Sequence, residues 1–215
     1  MAYDLEEQEQ LATLKAWWAQ YGNLVTWALI IVLAGYAAWS GWQYYQRNQA
    51  TQAAQLYAEL QKARGSGDPA RVQRVATDLL ERFNGTAYAP MAALLAAQSA
   101  FEAKDMDVAR NRLQWVIENG DDEAKALARL RLAGVLLDEK AYDQALKVLD
   151  AKVPDEFSGL VADRRGDILV AQERIEDARK AYETALEGIG PSNPGRALIR
   201  LKLEAIGGGA EKSAA

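Results

Sequence analysis

Between Lys15 and Arg47 the chain carries no charged residue, and that stretch limits what it can fold into more than any other feature. Inside it, residues 24–34 read Leu-Val-Thr-Trp-Ala-Leu-Ile-Ile-Val-Leu-Ala. An α-helix rises about 1.5 Å per residue, so roughly 20 residues cross a hydrocarbon core of about 30 Å. The stretch 22–41 supplies that length. Trp17, Trp18 and Tyr21 stand before it, and Trp39, Trp42, Tyr44 and Tyr45 after it. Indole and phenol rings settle at the headgroup level, apolar body in lipid and polar tip in water, so these seven are the expected membrane-interface residues. A buried core helix would be shorter and polar on one side. A signal peptide needs a positive start and a small-residue cleavage site, whereas this arm carries Asp4, Glu6, Glu7 and Glu9 against Lys15. The expectation is an acidic arm over 1–21 and an uncleaved transmembrane helix over 22–45, seated in the lipid bilayer. Its direction stays open on charge. Lys15 on one side balances Arg47 on the other, with Lys62 and Arg64 at the edge of the counted range, a tie or a slight preference for the C-terminal domain inside.

The remaining chemistry is bounded by what is missing. The 215 residues include no Cys and no His, which removes thiol nucleophiles, Cys/His metal sites, Ser-His triads and disulfides together. A net charge of -5 argues against nucleic acid as a partner, because such proteins need clustered basic charge. No cofactor, metal or small-molecule substrate is implied, and no enzyme activity is expected.

Beyond the anchor no segment alternates with period two, so the fold class is all-α. Short breakers divide amphipathic, Ala-rich segments: Gly65-Ser66-Gly67-Asp68-Pro69, Asn84-Gly85-Thr86, Asn119-Gly120-Asp121-Asp122 and Gly190-Pro191-Ser192-Asn193-Pro194. Stacking the segments gives a repeat. Ala109 to Ala145 is 36 residues and Ala145 to Ala178 is 33. Twelve residues before each alanine stands another small residue: Ala97, Ala133 and Gly166. Small residues at both points let two helices of a hairpin approach, and Leu113, Leu149 and Tyr182 then face the core. A spacing near 34 residues with this pattern is tetratricopeptide-like, and at least three units share it. The large aromatic expected four residues before each small one is replaced by Ala93, Arg129 and Ala162, so the repeats are degenerate. An unrelated Ala-rich bundle is the alternative. The expected repeat domain covers 46–206: an earlier hairpin of 49–64 with 69–83, three repeats, and an unpaired capping helix over 195–206. A flexible tail, 207–215, closes the chain.

Asp163 and Asp167 lie four apart on one helix face. Without a nucleophile, metal ligands or phosphate loop they read as a solvated pair or as partners of Arg129, Arg164 or Arg165. In tetratricopeptide stacks the first helix of each pair lines a concave groove. The register places Met91, Leu94, Gln98 and Phe101 there from the first unit, Leu127, Leu130, Gly134 and Leu137 from the second, and Leu160, Asp163, Asp167 and Val170 from the third. On that register the groove is largely apolar and lacks basic residues to hold a partner's carboxylate. It is either open to extended hydrophobic segments or filled by the capping helix.

Three stretches resemble one family. Residues 11–23 (Leu-Ala-Thr-Leu-Lys-Ala-Trp-Trp-Ala-Gln-Tyr-Gly-Asn), after the acidic arm, look like its start. Gly41-Trp42-Gln43-Tyr44-Tyr45 is similar to its exit from the membrane, and Val161-Ala162-Asp163-Arg164-Arg165-Gly166-Asp167 to its best-marked stretch. The chain thus resembles the ancillary SecYEG translocon subunit family (YfgM-like) along essentially its whole length. The resemblance implies a bacterial inner-membrane protein with its N-terminus in the cytoplasm and its helical domain in the periplasm. It implies partners: the SecYEG translocon, a membrane-anchored periplasmic chaperone of the peptidyl-prolyl isomerase type (PpiD), and newly exported client proteins in a chaperone or adaptor role. The alternative is a membrane-anchored scaffold that recruits or sequesters folded regulatory proteins.

Overall fold

A computed structural model describes residues 2–207, with side chains from Glu9 onward, and contains nine α-helices and no strand among them. They are α1 (Ala2–Gly65), α2 (Pro69–Arg82), α3 (Tyr88–Glu102), α4 (Met106–Asn119), α5 (Asp122–Asp138), α6 (Tyr142–Leu149), α7 (Asp155–Ala171), α8 (Ile175–Gly188) and α9 (Gly195–Ala205). The acidic side chains Asp4, Glu6 and Glu7 and the tail beyond Gly207 lie outside the described residues. The chain divides into two compact units, Met1–Thr51 and Gln52–Ala215.

The first unit is the membrane-type helix. Among the described residues α1 alone is long and apolar enough to cross a bilayer; its most apolar 18-residue window has a mean hydropathy of 1.7 and none of it is buried. Leu24, Trp27, Ile31, Val32, Leu33 and Tyr36 all stand exposed, and a contiguous apolar surface of this kind marks a membrane or protein contact. Trp18 and Trp39 are 21 positions apart, which at the helical rise is about 32 Å, close to the hydrocarbon thickness. At the first belt Trp17 packs on Tyr21 with ring centroids 5.8 Å apart, and at the second Tyr36 meets Trp39 at 6.2 Å and Trp42 meets Tyr45 at 6.5 Å. The Thr26 hydroxyl donates to the Gly22 carbonyl at 2.7 Å, so the apolar stretch needs no water to satisfy it.

The second unit is a succession of hairpins in sequence order: the end of α1 with α2, α3 with α4, α5 with α6, α7 with α8, and then α9. The small residues read from the sequence do what their spacing requires. Ala97, Ala133 and Gly166 are buried, as are Ala109, Ala145 and Ala178 on the facing helices. Leu113, Leu149 and Tyr182 fill the space between. One core runs from Ala53 and Leu60 through Leu79, Leu113, Val116 and Leu136 to Ile168, and a second joins Ala162, Leu169, Tyr182, Ala185, Ile199 and Leu203.

Each of the three central hairpins turns in the same way. Lys104, Lys140 and Glu173 follow the ends of α3, α5 and α7 with φ of 61°, 60° and 62°. Lys104 N–H donates to Phe101 O and Asp105 N–H to Ala100 O, both at 2.9 Å. The same pair recurs at Lys140 and Ala141 (2.9 and 2.8 Å) and at Glu173 and Arg174 (2.9 and 2.9 Å). This is the Schellman closure, normally built on glycine. A left-handed side-chain-bearing residue is disfavoured by about 1–2 kcal/mol, so the sequence hides the turn from any search for Gly. Three identical closures in one register establish the units as repeats.

Two capping features hold the ends. Asp68, Asp105 and Asp121 accept from the backbone N–H groups of Arg71, Val108 and Ala124 at 3.0, 3.1 and 2.8 Å, satisfying donors that a helix start leaves open. Arg196 donates to the carbonyls of Leu186 and Ile189 at the end of α8, which ties α9 onto α8.

Candidate functional site

The first helices of the hairpins, α3, α5 and α7, neighbour one another and define one face of the repeat unit. Of the residues the sequence placed there, Met91 is 47% exposed and Phe101 37%. Gln98 lies between them, half-buried, its amide donating to Glu102 at 2.9 Å. Leu94, Leu127 and Leu137 are half-buried, Leu94 and Leu137 packing on the core. Leu130 is 9% exposed and belongs to the core itself. Helix α5 is sandwiched between hairpins, so its leucines turn inward rather than towards a groove.

A cavity of about 390 Å³ opens on this face, lined by Ala97, Gln98 and Phe101 of α3, Leu113 of α4, Arg131, Gly134, Val135 and Asp138 of α5, and Arg164 of α7. The sequence expectation of a groove without basic residues is therefore wrong. The face of α5 that looks into the cavity is Arg131, Gly134 and Asp138, one position on from Leu130 and Leu137. One position turns a helix by about 100°, enough to exchange leucine for arginine. Arg131 and Arg164 occupy the same place in consecutive repeats, each two residues before the small residue that packs the hairpin, Ala133 or Gly166.

The two guanidinium groups have few partners. Arg131 donates to the Leu94 carbonyl at 3.3 Å and has no carboxylate within 4.0 Å among the described residues. Partial burial lowers its pKa below the usual arginine range, and the nearby Arg64 charge adds to the effect. Arginine does not give up its proton in proteins, so Arg131 is an exposed cation with no carboxylate at ion-pair distance among the described residues. Arg164 reaches Asp167 only at 3.7 Å. Its guanidinium lies over the bare α5 surface at Gly134, where an added Cβ would stand 3.7 Å from Arg164 Cζ.

Asp163 and Asp167 are occupied otherwise than the sequence implied. Their principal partner is not an arginine but Lys202 of α9, whose Nζ lies 2.8 Å from Asp163 Oδ1 and 2.7 Å from Asp167 Oδ1. The Tyr182 hydroxyl donates to Asp167 Oδ1 at 2.9 Å. Burial raises the Asp163 pKa, the hydrogen bond from Lys202 opposing it, and burial with the Asp167 charge pushes the Tyr182 phenol well up. The capping helix thus takes up the α7 carboxylates, while the face of α3 and α5 remains open. No group of acidic residues able to hold a metal ion is present among the described residues.

This architecture has known counterparts. A family model described as a tetratricopeptide repeat-like domain matches residues 15–208. An ancillary SecYEG translocon subunit of Neisseria gonorrhoeae is 34% identical over 208 residues, covering 96% of this chain and 100% of that protein. The chain belongs to the ancillary SecYEG translocon subunit family. The family member of Haemophilus influenzae is 30% identical, covering 86% of this chain and 91% of its own, and that of Escherichia coli 28% identical, covering 84% and 87%. Among solved structures, MamA 41-end from Desulfovibrio magneticus RS-1 matches with a TM-score of 0.51 at 19% identity, covering 72% of this chain and 89% of that one. At that identity the likeness concerns the fold alone. Family membership also gives the exposed apolar helix its setting: the chain is membrane-associated, with α1 as the candidate span.

Proposed function

We propose that this protein is an ancillary subunit of the SecYEG translocon. Its arm, 1–21, faces the cytoplasm, 22–45 crosses the inner membrane, and the repeat domain stands in the periplasm. There it acts as a chaperone or adaptor, binding partner proteins, a PpiD-type periplasmic chaperone among them, and newly exported chains, without catalysing a reaction. The observation that carries the reading is the open α3–α5 face, with Met91 and Phe101 exposed on it, in a chain that also presents a wholly uncovered apolar helix. Anchoring raises the effective concentration of that face beside emerging chains, so weak contacts suffice. Met91, Leu94, Gln98, Phe101 and Leu127 supply the contact surface; Leu130 and Leu137 support it from beneath.

The test has two steps. Protease added to intact spheroplasts should digest a C-terminally tagged repeat domain without lysis; protection until lysis places the domain in the cytoplasm and replaces this reading with a regulatory scaffold. The full chain in detergent should then delay aggregation of a denatured protein, and Phe101→Asp should reduce the delay. If only folded partners bind, the domain is an adaptor and not a chaperone.

A further inference from the structure

The cavity between α3, α5 and α7 has features that a purely apolar client face would not need. Its floor is apolar: Ala97, Leu113 and Val135, with Phe101 at the rim. Its wall carries Arg131 and Arg164, and Arg164 lies across Gly134, one turn along α5 from Arg131. The Arg164 guanidinium rests against α5 at Gly134, where an added Cβ would make ordinary contact with it at 3.7 Å. A guanidinium has five donors in a fixed fork suited to a carboxylate. Arg131 spends one of them on a carbonyl, and Arg164 reaches only a carboxylate that Lys202 already holds. Asp138 also lines the cavity, but neither arginine has it as an ion-pair partner among the described residues, so both guanidinium forks keep donors for an incoming carboxylate.

The position of the pair within the face says what kind of anion. Arg131 hydrogen-bonds at Leu94, and Met91 lies one turn beyond Leu94 on α3, exposed. Apolar surface therefore continues on both sides of the arginines, Met91 on one and Phe101 with the cavity floor on the other. A chain end would stop at the arginines and leave Met91 uncovered. A segment passing through uses all of it.

We propose that this cavity binds an extended peptide segment in which an acidic side chain stands between apolar ones, the carboxylate taken by Arg131 and Arg164 and the flanking side chains by Phe101 with the cavity floor and by Met91. This rests on the reading that the α3–α5 face binds protein chains, and it names the sequence chemistry selected there.

The experiment uses the full chain in nanodiscs and fluorescein-labelled decapeptides blocked at both ends, one with a central Leu-Phe-Glu-Leu-Phe, one with Gln in place of Glu, and one Gln peptide with a free terminal carboxylate. Fluorescence anisotropy gives the affinities. The Glu peptide should bind about tenfold more tightly than the blocked Gln peptide, the scale of a charge-assisted hydrogen-bonded pair. The difference should shrink to less than about twofold in Arg131→Gln/Arg164→Gln, while a permanently unfolded protein (reduced, carboxymethylated lactalbumin) sets the general binding level. Equal affinity for Glu and Gln peptides, or a preference that survives the double substitution, overturns the proposal and leaves the wider reading in place. Tighter binding of the free-carboxylate Gln peptide than of the Glu peptide also overturns it, in favour of chain ends. No binding of any peptide alongside binding of the unfolded protein overturns it too. No binding of either overturns both. The peptide comparison is made on the unaltered protein, so it does not depend on the variants folding.

Discussion

Replacing Gly166 with alanine should destabilise the third hairpin, although alanine is the better helix former. Intrinsic propensity favours Ala over Gly by about 1 kcal/mol in a helix interior. At Gly166, however, an added Cβ would stand 2.6 Å from Tyr182 Cδ1 and 2.9 Å from Cζ. The ring cannot yield cheaply. Tyr182 is 3% exposed, and its hydroxyl is held by Asp167 Oδ1 at 2.9 Å. Reaching ordinary carbon contact at about 3.5–4.0 Å requires a shift near 1 Å. That loosens a hydrogen bond to a charged group, about 1.5–3 kcal/mol, and adds overpacking strain of about 1–3 kcal/mol. After the propensity gain, the expected net loss is about 1.5–5 kcal/mol. The first two repeats pair Ala97 with Leu113 and Ala133 with Leu149 at the same separation. Adding Tyr182→Leu to Gly166→Ala should therefore give back much of the loss, a coupling of about 1–3 kcal/mol. Urea unfolding of the full chain in detergent, followed by far-ultraviolet circular dichroism, with both single variants and the double, measures it. If Gly166→Ala raises the midpoint, or if the two substitutions simply add, the volume exchange between glycine and tyrosine is not what sets this contact.

Lys140→Gly should stabilise the domain by about 0.5–1 kcal/mol, because glycine takes the left-handed closure without strain; the same assay reads it, and an unchanged or lower midpoint contradicts the strain account. Lys202→Met should lower stability by about 1–3 kcal/mol near neutral pH by removing the cation that Asp163 and Asp167 share, Asp167 keeping Tyr182 and Arg164. Asp163 already has a folded pKa raised above its ordinary 3.8. The native state therefore binds more protons than the unfolded chain between those two values, and stability from this group falls as pH rises through that window. The Lys202→Met variant should regain stability on acidification towards that window, which unfolding midpoints measured from neutral to mildly acidic pH will check; a deficit that stays constant with pH rules out the carboxylate explanation. Asp163→Asn should cost less than Lys202→Met, since burial penalises the Asp163 charge and Lys202 keeps Asp167.

The candidate membrane span was legible because its signal is one of composition: an uncharged stretch with aromatics at both ends needs no knowledge of what packs where. The repeats were legible for a related reason. Ala97, Ala133 and Gly166 recur with Ala109, Ala145 and Ala178 at a fixed offset, and close helix approach tolerates few other residues at those points. The turns that join them were not legible, since Lys104, Lys140 and Glu173 give no glycine signal; backbone hydrogen bonds impose the left-handed conformation on ordinary residues. The groove was read only in part. Gln98, Phe101 and Gly134 line a cavity, and apolar character suggested Leu130 and Leu137 where the helix presents Arg131 and Asp138.

The sequence by itself therefore determined the class of the protein: an apolar candidate span, helices throughout, hairpins in a common register, and no cysteine or histidine for thiol or imidazole chemistry. Those conclusions follow from which residue types are present and at what spacing. Only the tertiary structure decided which side of α5 looks outward, that Lys202 of α9 takes up the carboxylates of α7, and that two arginines from consecutive repeats share one cavity. The physical reason is that a helix packed on several sides has no single apolar stripe. Leu130, Leu132, Val135 and Leu136 are all buried around α5, so its open face is fixed by the helices beside it rather than by its own periodicity.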